Sequence, residues 1–203
     1  MQPLLLTALA GTTTARFFLD DVLGMYLRKR VRRFLNKADE RPEVATLIEA
    51  VRAEADEPEA DRKAVVKIVQ GWLDADETNP ALQAIRERML AEGFAEEQFL
   101  GHIFPDVHRW LLYWRRGGLP VIGLDPLELT TRDHMLAATS FGDVRDCFVD
   151  QLCWSEAAAS DPASYQELLD SRQVPPERCC LLDDRLPALD AAASLGIRCL
   201  WLV

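Results

Sequence analysis

Five side chains of this sequence are placed to do chemistry: the carboxylates of Asp125, Glu128, Asp183 and Asp184, and the imidazole of His102. Asp125 and Glu128 follow the apolar run Pro120 to Leu124, and the Asp183-Asp184 pair follows Cys179 to Leu182. Carboxylates converging at strand ends can hold a divalent cation, and their crowding raises some of their pKa values. The same acids can instead serve the backbone, because Asp125 and Asp184 precede helical patterns whose first N–H groups lack partners. Asp183 and Asp184 are the candidate metal ligands, and Thr12, Thr13, Asp125 and Glu128 the candidate ligand-binding residues. His102, inside Gly101-His102-Ile103-Phe104-Pro105, reads as a base or as part of a packed hinge.

These residues need a frame that brings distant segments together. A short apolar run, Pro3 to Leu9, breaks at Gly11-Thr12-Thr13-Thr14, which suits a central parallel strand entering a tight loop. Helical spacing then dominates to about Gly101, with Phe17, Phe18, Val22, Leu23 and Tyr26, then Val44, Leu47, Ile48 and Val51, then Val65, Ile68, Val69 and Trp72, then Leu82, Ile85 and Met89. Breaks at Arg41-Pro42, Glu57-Pro58 and Asn79-Pro80 divide this into roughly four helices. After Pro105 helix and strand alternate: helix Asp106 to Arg116, strand Pro120 to Leu124, strand Asp146 to Cys153, helix Ser164 to Arg172, strand Cys179 to Leu182, helix Leu186 to Leu195 and strand Ile197 to Val203. Such alternation without hairpin signals predicts an α/β fold, a Rossmann-type parallel sheet from residues 1–15 and 101–203 with a helical insertion over 16–100. Ligands of such sheets sit beyond the carboxyl ends of the strands, here Ala8 to Thr14, Asp125 to Glu128, Trp154 to Ala159 and Asp183 to Arg185.

Composition narrows the function classes. The 203 residues carry a formal net charge of -10, which argues against a nucleic-acid surface. Against that trend, Arg28, Lys29, Arg30, Arg32, Arg33 and Lys37 cluster at the end of one helical pattern, either as a solvated face or as a contact for an acidic partner or anionic lipid. The five cysteines, Cys147, Cys153, Cys179, Cys180 and Cys199, lie in apolar, strand-like contexts without zinc spacing and read as small buried residues. Leu4-Leu5-Leu6 superficially imitates a secretory segment but lacks a basic leader, and no apolar run reaches membrane-spanning length, so a cytoplasmic protein without membrane contact is expected. Trp110 and Trp114, one turn apart beside Leu111 and Leu112, are expected in the core.

The same segments carry a resemblance. Gly11-Thr12-Thr13-Thr14 with Phe18, Asp21-Val22-Leu23 and Tyr26; Gly101-His102-Ile103-Phe104-Pro105-Asp106; Ala163-Ser164-Tyr165; and Leu182-Asp183-Asp184 with Leu189-Asp190-Ala191-Ala192 together resemble the enolase-phosphatases of methionine salvage, haloacid dehalogenase (HAD) superfamily members. The resemblance spans nearly the whole chain. It implies a HAD-like core with a helical cap, a magnesium cofactor, and phosphate release from a diketo-phosphopentane through an aspartyl-phosphate.

The residues that the family's chemistry needs are largely replaced. The nucleophilic aspartate and following glutamate correspond to Ala8 and Ala10, the phosphate-binding serines to Asp125-Pro126-Leu127-Glu128, and the lysine to Ala159. Attack on phosphorus requires a carboxylate oxygen in line with it, and a methyl group supplies none. Asp184 matches the magnesium-binding aspartate, leaving weak magnesium binding with Asp183 as the most that the motif implies. The expectation is a pseudoenzyme that requires no cofactor and acts by binding an unknown protein or small molecule; the alternatives are a metal-dependent enzyme with altered chemistry, and a small-molecule sensor.

Overall fold

The computed structural model of the protein describes residues 3–203. Met1 and Gln2, part of the first predicted core segment, lie outside the described residues. The chain divides into two compact units, one of residues up to Arg16 together with Leu100–Val203, the other Phe17–Phe99.

In the first unit the strands β1 (Leu4–Ala8), β2 (Val121–Asp125), β3 (Asp150–Cys153), β4 (Cys179–Asp183) and β5 (Arg198–Trp201) form one parallel sheet in the order β3-β2-β1-β4-β5. Every residue of β1 and β2 is buried, whereas β3 and β5 at the edges are mostly half-buried or exposed. That difference explains the sequence pattern: a parallel strand covered on both faces is a continuous apolar run, and an edge strand is mixed. The sheet is flanked by helices α5 (Pro105–Arg116), α6 (Leu129–Ala137), α7 (Glu156–Ala159), α8 (Pro162–Arg172) and α9 (Leu186–Ser194). Leu4, Leu6, Ile122, Leu124 and Leu181 from the sheet pack with Tyr165, Leu168, Leu169, Leu189 and Ala192 from α8 and α9.

The second unit holds α1 (Gly24–Leu35), α2 (Pro42–Glu54), α3 (Arg62–Asp74) and α4 (Pro80–Ala95), preceded by a π-helical stretch, Phe18–Leu23. Pro42 and Pro80 open their helices, where a missing N–H costs nothing. Asp61 and Asn79 accept from Ala64 N at 2.7 Å and Leu82 N at 2.8 Å. Part of the basic cluster is spent inside this unit, with Arg28 on Asp74, Arg30 on Gln98 and Lys37 near Glu92.

Three expectations need correction. The third strand begins at Asp150, because Arg145–Cys147 forms a 3-10 turn in which the Arg145 side chain grips Asp143 and Asp133. Cys153 is exposed at the last position of the edge strand β3, while Cys147 and Cys179 are buried. Trp110 is 53% exposed, stacked on Trp114 along the outer side of α5, where Leu111 takes the buried position. No helix among the described residues is long and apolar enough to cross a membrane.

Candidate functional site

The carboxyl ends of β1, β2 and β4 stand side by side, since β1 lies between the other two. Ala8 ends β1 and is 1% exposed, so a methyl group lies buried where the resemblance implies a nucleophile. The following loop folds onto itself: the Leu9 carbonyl accepts the N–H groups of Thr12, Thr13 and Thr14 and the Thr13 hydroxyl. Those amides point inward rather than toward a ligand. Thr12 Oγ1 is buried without a hydrogen-bond partner.

Asp125, the last residue of β2, is 3% exposed and spends both oxygens on the backbone. Oδ2 accepts from Ala10 N and Oδ1 from Leu127 N, each at 2.8 Å. It thereby ties the loop after β1 to the loop after β2. The helix-capping expectation is thus replaced by a loop clasp, because Glu128 holds the N-cap position of α6 and its side chain makes no capping bond.

Asp183 and Asp184 close β4 and begin the next loop, and each meets an arginine. Asp183, 1% exposed, takes Arg185 N at 2.9 Å and Nε at 3.0 Å on Oδ1, and Arg185 Nη2 at 2.9 Å on Oδ2. Asp184 takes Arg16 Nε on Oδ2 and Nη2 on Oδ1, both at 2.9 Å. These paired bonds raise the pKa of both guanidinium groups. Asp184 does not cap α9 as expected; Arg185 stands at that N-cap position, and the Asp184 carboxylate is turned to Arg16.

A third arginine lies close by. Arg132 on α6 is fully buried, and none of its guanidinium nitrogens has a hydrogen-bond partner. Burial pushes its pKa down, opposed by the charge of Asp125 and smaller effects from Cys153 and Glu128. Asp125 acts electrostatically on Arg16 and Arg185 as well, so three arginines offset the acids of strand ends that looked acidic in the sequence. Sequence reasoning missed Arg16 and Arg132, and reached Arg185 only as the end of the loop Asp183 to Arg185. The available signals were the Asp183-Asp184-Arg185 adjacency and the four-residue step from Glu128 to Arg132.

Ala159, where the resemblance implies a lysine, ends α7 with 2% exposure, and its carbonyl accepts the Tyr165 hydroxyl at 2.9 Å. His102 is not aimed at the acids: its Nδ1 accepts from Ala15 N at 3.1 Å and lies 3.1 Å from Thr14 Oγ1. An accepting Nδ1 belongs to the neutral ring, and burial holds the pKa below the ordinary histidine value. The structure therefore gathers Ala8, Ala10, Asp125, Asp183 and Asp184 at one end of the sheet and assigns His102 to holding the loop that follows β1.

The chain is similar to known proteins along almost its full length. It is 28% identical over 194 residues to the enolase-phosphatase E1 of Pseudomonas fluorescens, covering 96% of this chain and 86% of that protein. It is 29% identical over 198 residues to that of Pseudomonas aeruginosa, covering 98% and 88%. The chain is a homologue of the enolase-phosphatases. No family model matches it. Among solved structures, the UTR4 protein of Saccharomyces cerevisiae superposes with a TM-score of 0.83 at 14% identity over 98% of this chain and 90% of that one. A HAD family enzyme of Bacteroides thetaiotaomicron, in complex with magnesium and inorganic phosphate, gives 0.55 at 14% identity over 100% and 95%. The fold of this enolase-phosphatase homologue is thus the HAD-type α/β fold.

The magnesium held by that Bacteroides thetaiotaomicron enzyme sets a test for the residues present here. They do not fit the ion. Magnesium demands near-octahedral oxygen ligation and keeps several waters. Here the position that the resemblance implies for the first ligand is the buried Ala8 methyl, and Asp183 at the end of β4 and Asp184 just beyond it are both engaged by guanidinium groups. No group of three or more His, Cys, Asp or Glu side chains among the described residues is arranged to hold a metal ion.

Proposed function

We propose that this chain is a non-catalytic relative of the enolase-phosphatases, a cytoplasmic protein whose scaffold serves binding or regulation rather than phosphate release. The observation that carries the reading is the loss or commitment of the carboxylates that directly end β1, β2 and β4. Ala8 has none, Asp125 is committed to two backbone N–H groups, and Asp183 and Asp184 are committed to Arg185 and Arg16. None of these positions offers an uncommitted carboxylate oxygen in line to attack phosphorus, and Glu128 lies three residues beyond the end of β2. The helical unit, residues 17–99, is the counterpart of the family's cap, retained as part of the scaffold. What the scaffold binds is a protein partner or a small molecule.

Altered metal-dependent chemistry would need several free acids or a free base at the same place; of the acids only Glu128 is uncommitted, and His102 is turned to Ala15 N. The test is a phosphate-release assay with p-nitrophenyl phosphate and with the diketo-phosphopentane, each with and without magnesium. The expected result is release indistinguishable from the blank. Turnover that rises with magnesium and is lost on purifying away the chain refutes the reading.

A further inference from the structure

We infer that Arg16 and Arg185 are built-in counter-ions which take over, with fixed positive charge, the task of holding the strand-end carboxylates together, so that the site assembles without any divalent cation and excludes one. The first support is bond geometry. Asp184 and Arg16 meet through two parallel N–H···O bonds, and Asp183 receives three donors from Arg185. A cation must approach such an oxygen to roughly 2.0–2.1 Å, against the repulsion of a guanidinium already bonded to it.

The second support is space. Gly11, with φ of +81°, brings its main chain hard against the Arg16–Asp184 pair: a Cβ built there would fall 2.0 Å from Asp184 Oδ2 and 2.9 Å from Arg16 Nε. The backbone occupies ground that a hydrated ion needs.

The third support is connectivity. Arg16 reaches from the loop after β1 to the loop after β4, and Asp125 clasps the loop after β1 to the loop after β2. Two side-chain clasps thus join three strand ends without an ion bridging them. Arg185 is only 19% exposed and Asp183 1%, so that pair is shielded from screening by salt, while the half-exposed Arg16 is the accessible member.

The experiment uses the full chain in five forms: the protein itself, Arg16→Lys, Arg16→Gln, and Ala8→Asp with and without Arg16→Gln. Manganese binding is read by water-proton relaxation, and thermal midpoints by tryptophan fluorescence in magnesium chloride against sodium chloride of equal ionic strength. The protein and Arg16→Lys are expected to show no saturable manganese binding and the same midpoint in both salts. Arg16→Gln should melt lower and regain part of the loss in magnesium beyond that in sodium. Ala8→Asp should stay without manganese while Arg16 is present, and Ala8→Asp with Arg16→Gln should bind it at least about tenfold more tightly.

Saturable manganese binding by the unaltered protein, abolished by Asp184→Asn, overturns the inference, as does an Arg16→Gln midpoint equal in the two salts. If the Ala8→Asp forms do not fold, the unaltered protein and Arg16→Gln decide between them. Metal binding without phosphate release would overturn this inference and leave the proposed function standing, whereas phosphate release would overturn the proposed function.

Discussion

Asp125 offers a sharp test of whether the acids at the strand ends serve a ligand or the fold. Its carboxylate is 3% exposed and accepts from Ala10 N and Leu127 N at 2.8 Å each. Hydrogen bonds to a charged group contribute roughly 1.5–3 kcal/mol apiece, and buried donors stripped of their acceptor find no water in exchange. Two such bonds, less some relaxation of the loops, put the cost of Asp125→Ala at about 3–5 kcal/mol. Asp125→Asn keeps one carbonyl oxygen but turns an NH2 group toward the other backbone donor, so it should lose about 1.5–3 kcal/mol. Both changes also remove negative charge beside the buried Arg132, and adding Arg132→Met to Asp125→Asn should recover part of the loss. Urea unfolding followed by tryptophan fluorescence suits the measurement, because Trp110, Trp114, Trp154 and Trp201 all lie in the unit that contains Asp125. A loss below about 1 kcal/mol for Asp125→Ala would mean that the clasp holds little and that the acid is kept for something else.

Arg132→Met alone removes a buried guanidinium whose nitrogens have no hydrogen-bond partner, at the cost of its attraction to Asp125, and should leave stability within about 1 kcal/mol or raise it, read from the same urea curves; a loss of about 2 kcal/mol or more would show that the attraction to Asp125 outweighs the cost of burial. His102 is held neutral with its pKa lowered by burial, so its contribution is complete above the unfolded value near 6.5 and is lost as pH falls through the folded value. The difference in stability between the protein and His102→Asn should therefore shrink from pH 7.5 to 5, and a difference independent of pH refutes the assignment. Gly101→Ala would place a Cβ 1.9 Å from the Met135 carbonyl oxygen, a backbone atom that cannot swing aside, and should destabilise by about 3 kcal/mol or more in thermal melts.

The sheet was readable in the sequence because its central strands are buried on both faces and leave unbroken apolar runs, as at Leu4–Ala8 and Val121–Asp125. The helices of residues 17–99 were readable for a local reason also, prolines at Pro42 and Pro80 marking helix starts. The electrostatics of the strand ends were not. A run of acids suggests a repelling or metal-seeking pocket only until Arg16 arrives from the other end of the chain, and nothing in local spacing announces that meeting with Asp184. Trp110 misled for a related reason: a helix with an apolar stripe and aromatic residues on its flank does not disclose which of them the sheet covers, and Leu111 won the buried place. The edge position of Cys153 depended on strand order, which periodicity alone does not supply.

The place of β1 in the sheet has a consequence for how the chain is made. Leu5 lies opposite Val121 on one side and Cys180 on the other, so the middle strand is made before either of the neighbours it pairs with. Residues 17–99 can close on themselves while the ribosome is still translating, but Leu4-Leu5-Leu6 must wait, oily and unpaired, for most of the polypeptide to emerge. In the cell that interval is an opportunity for chaperones and for misassembly, whatever the finished molecule goes on to do.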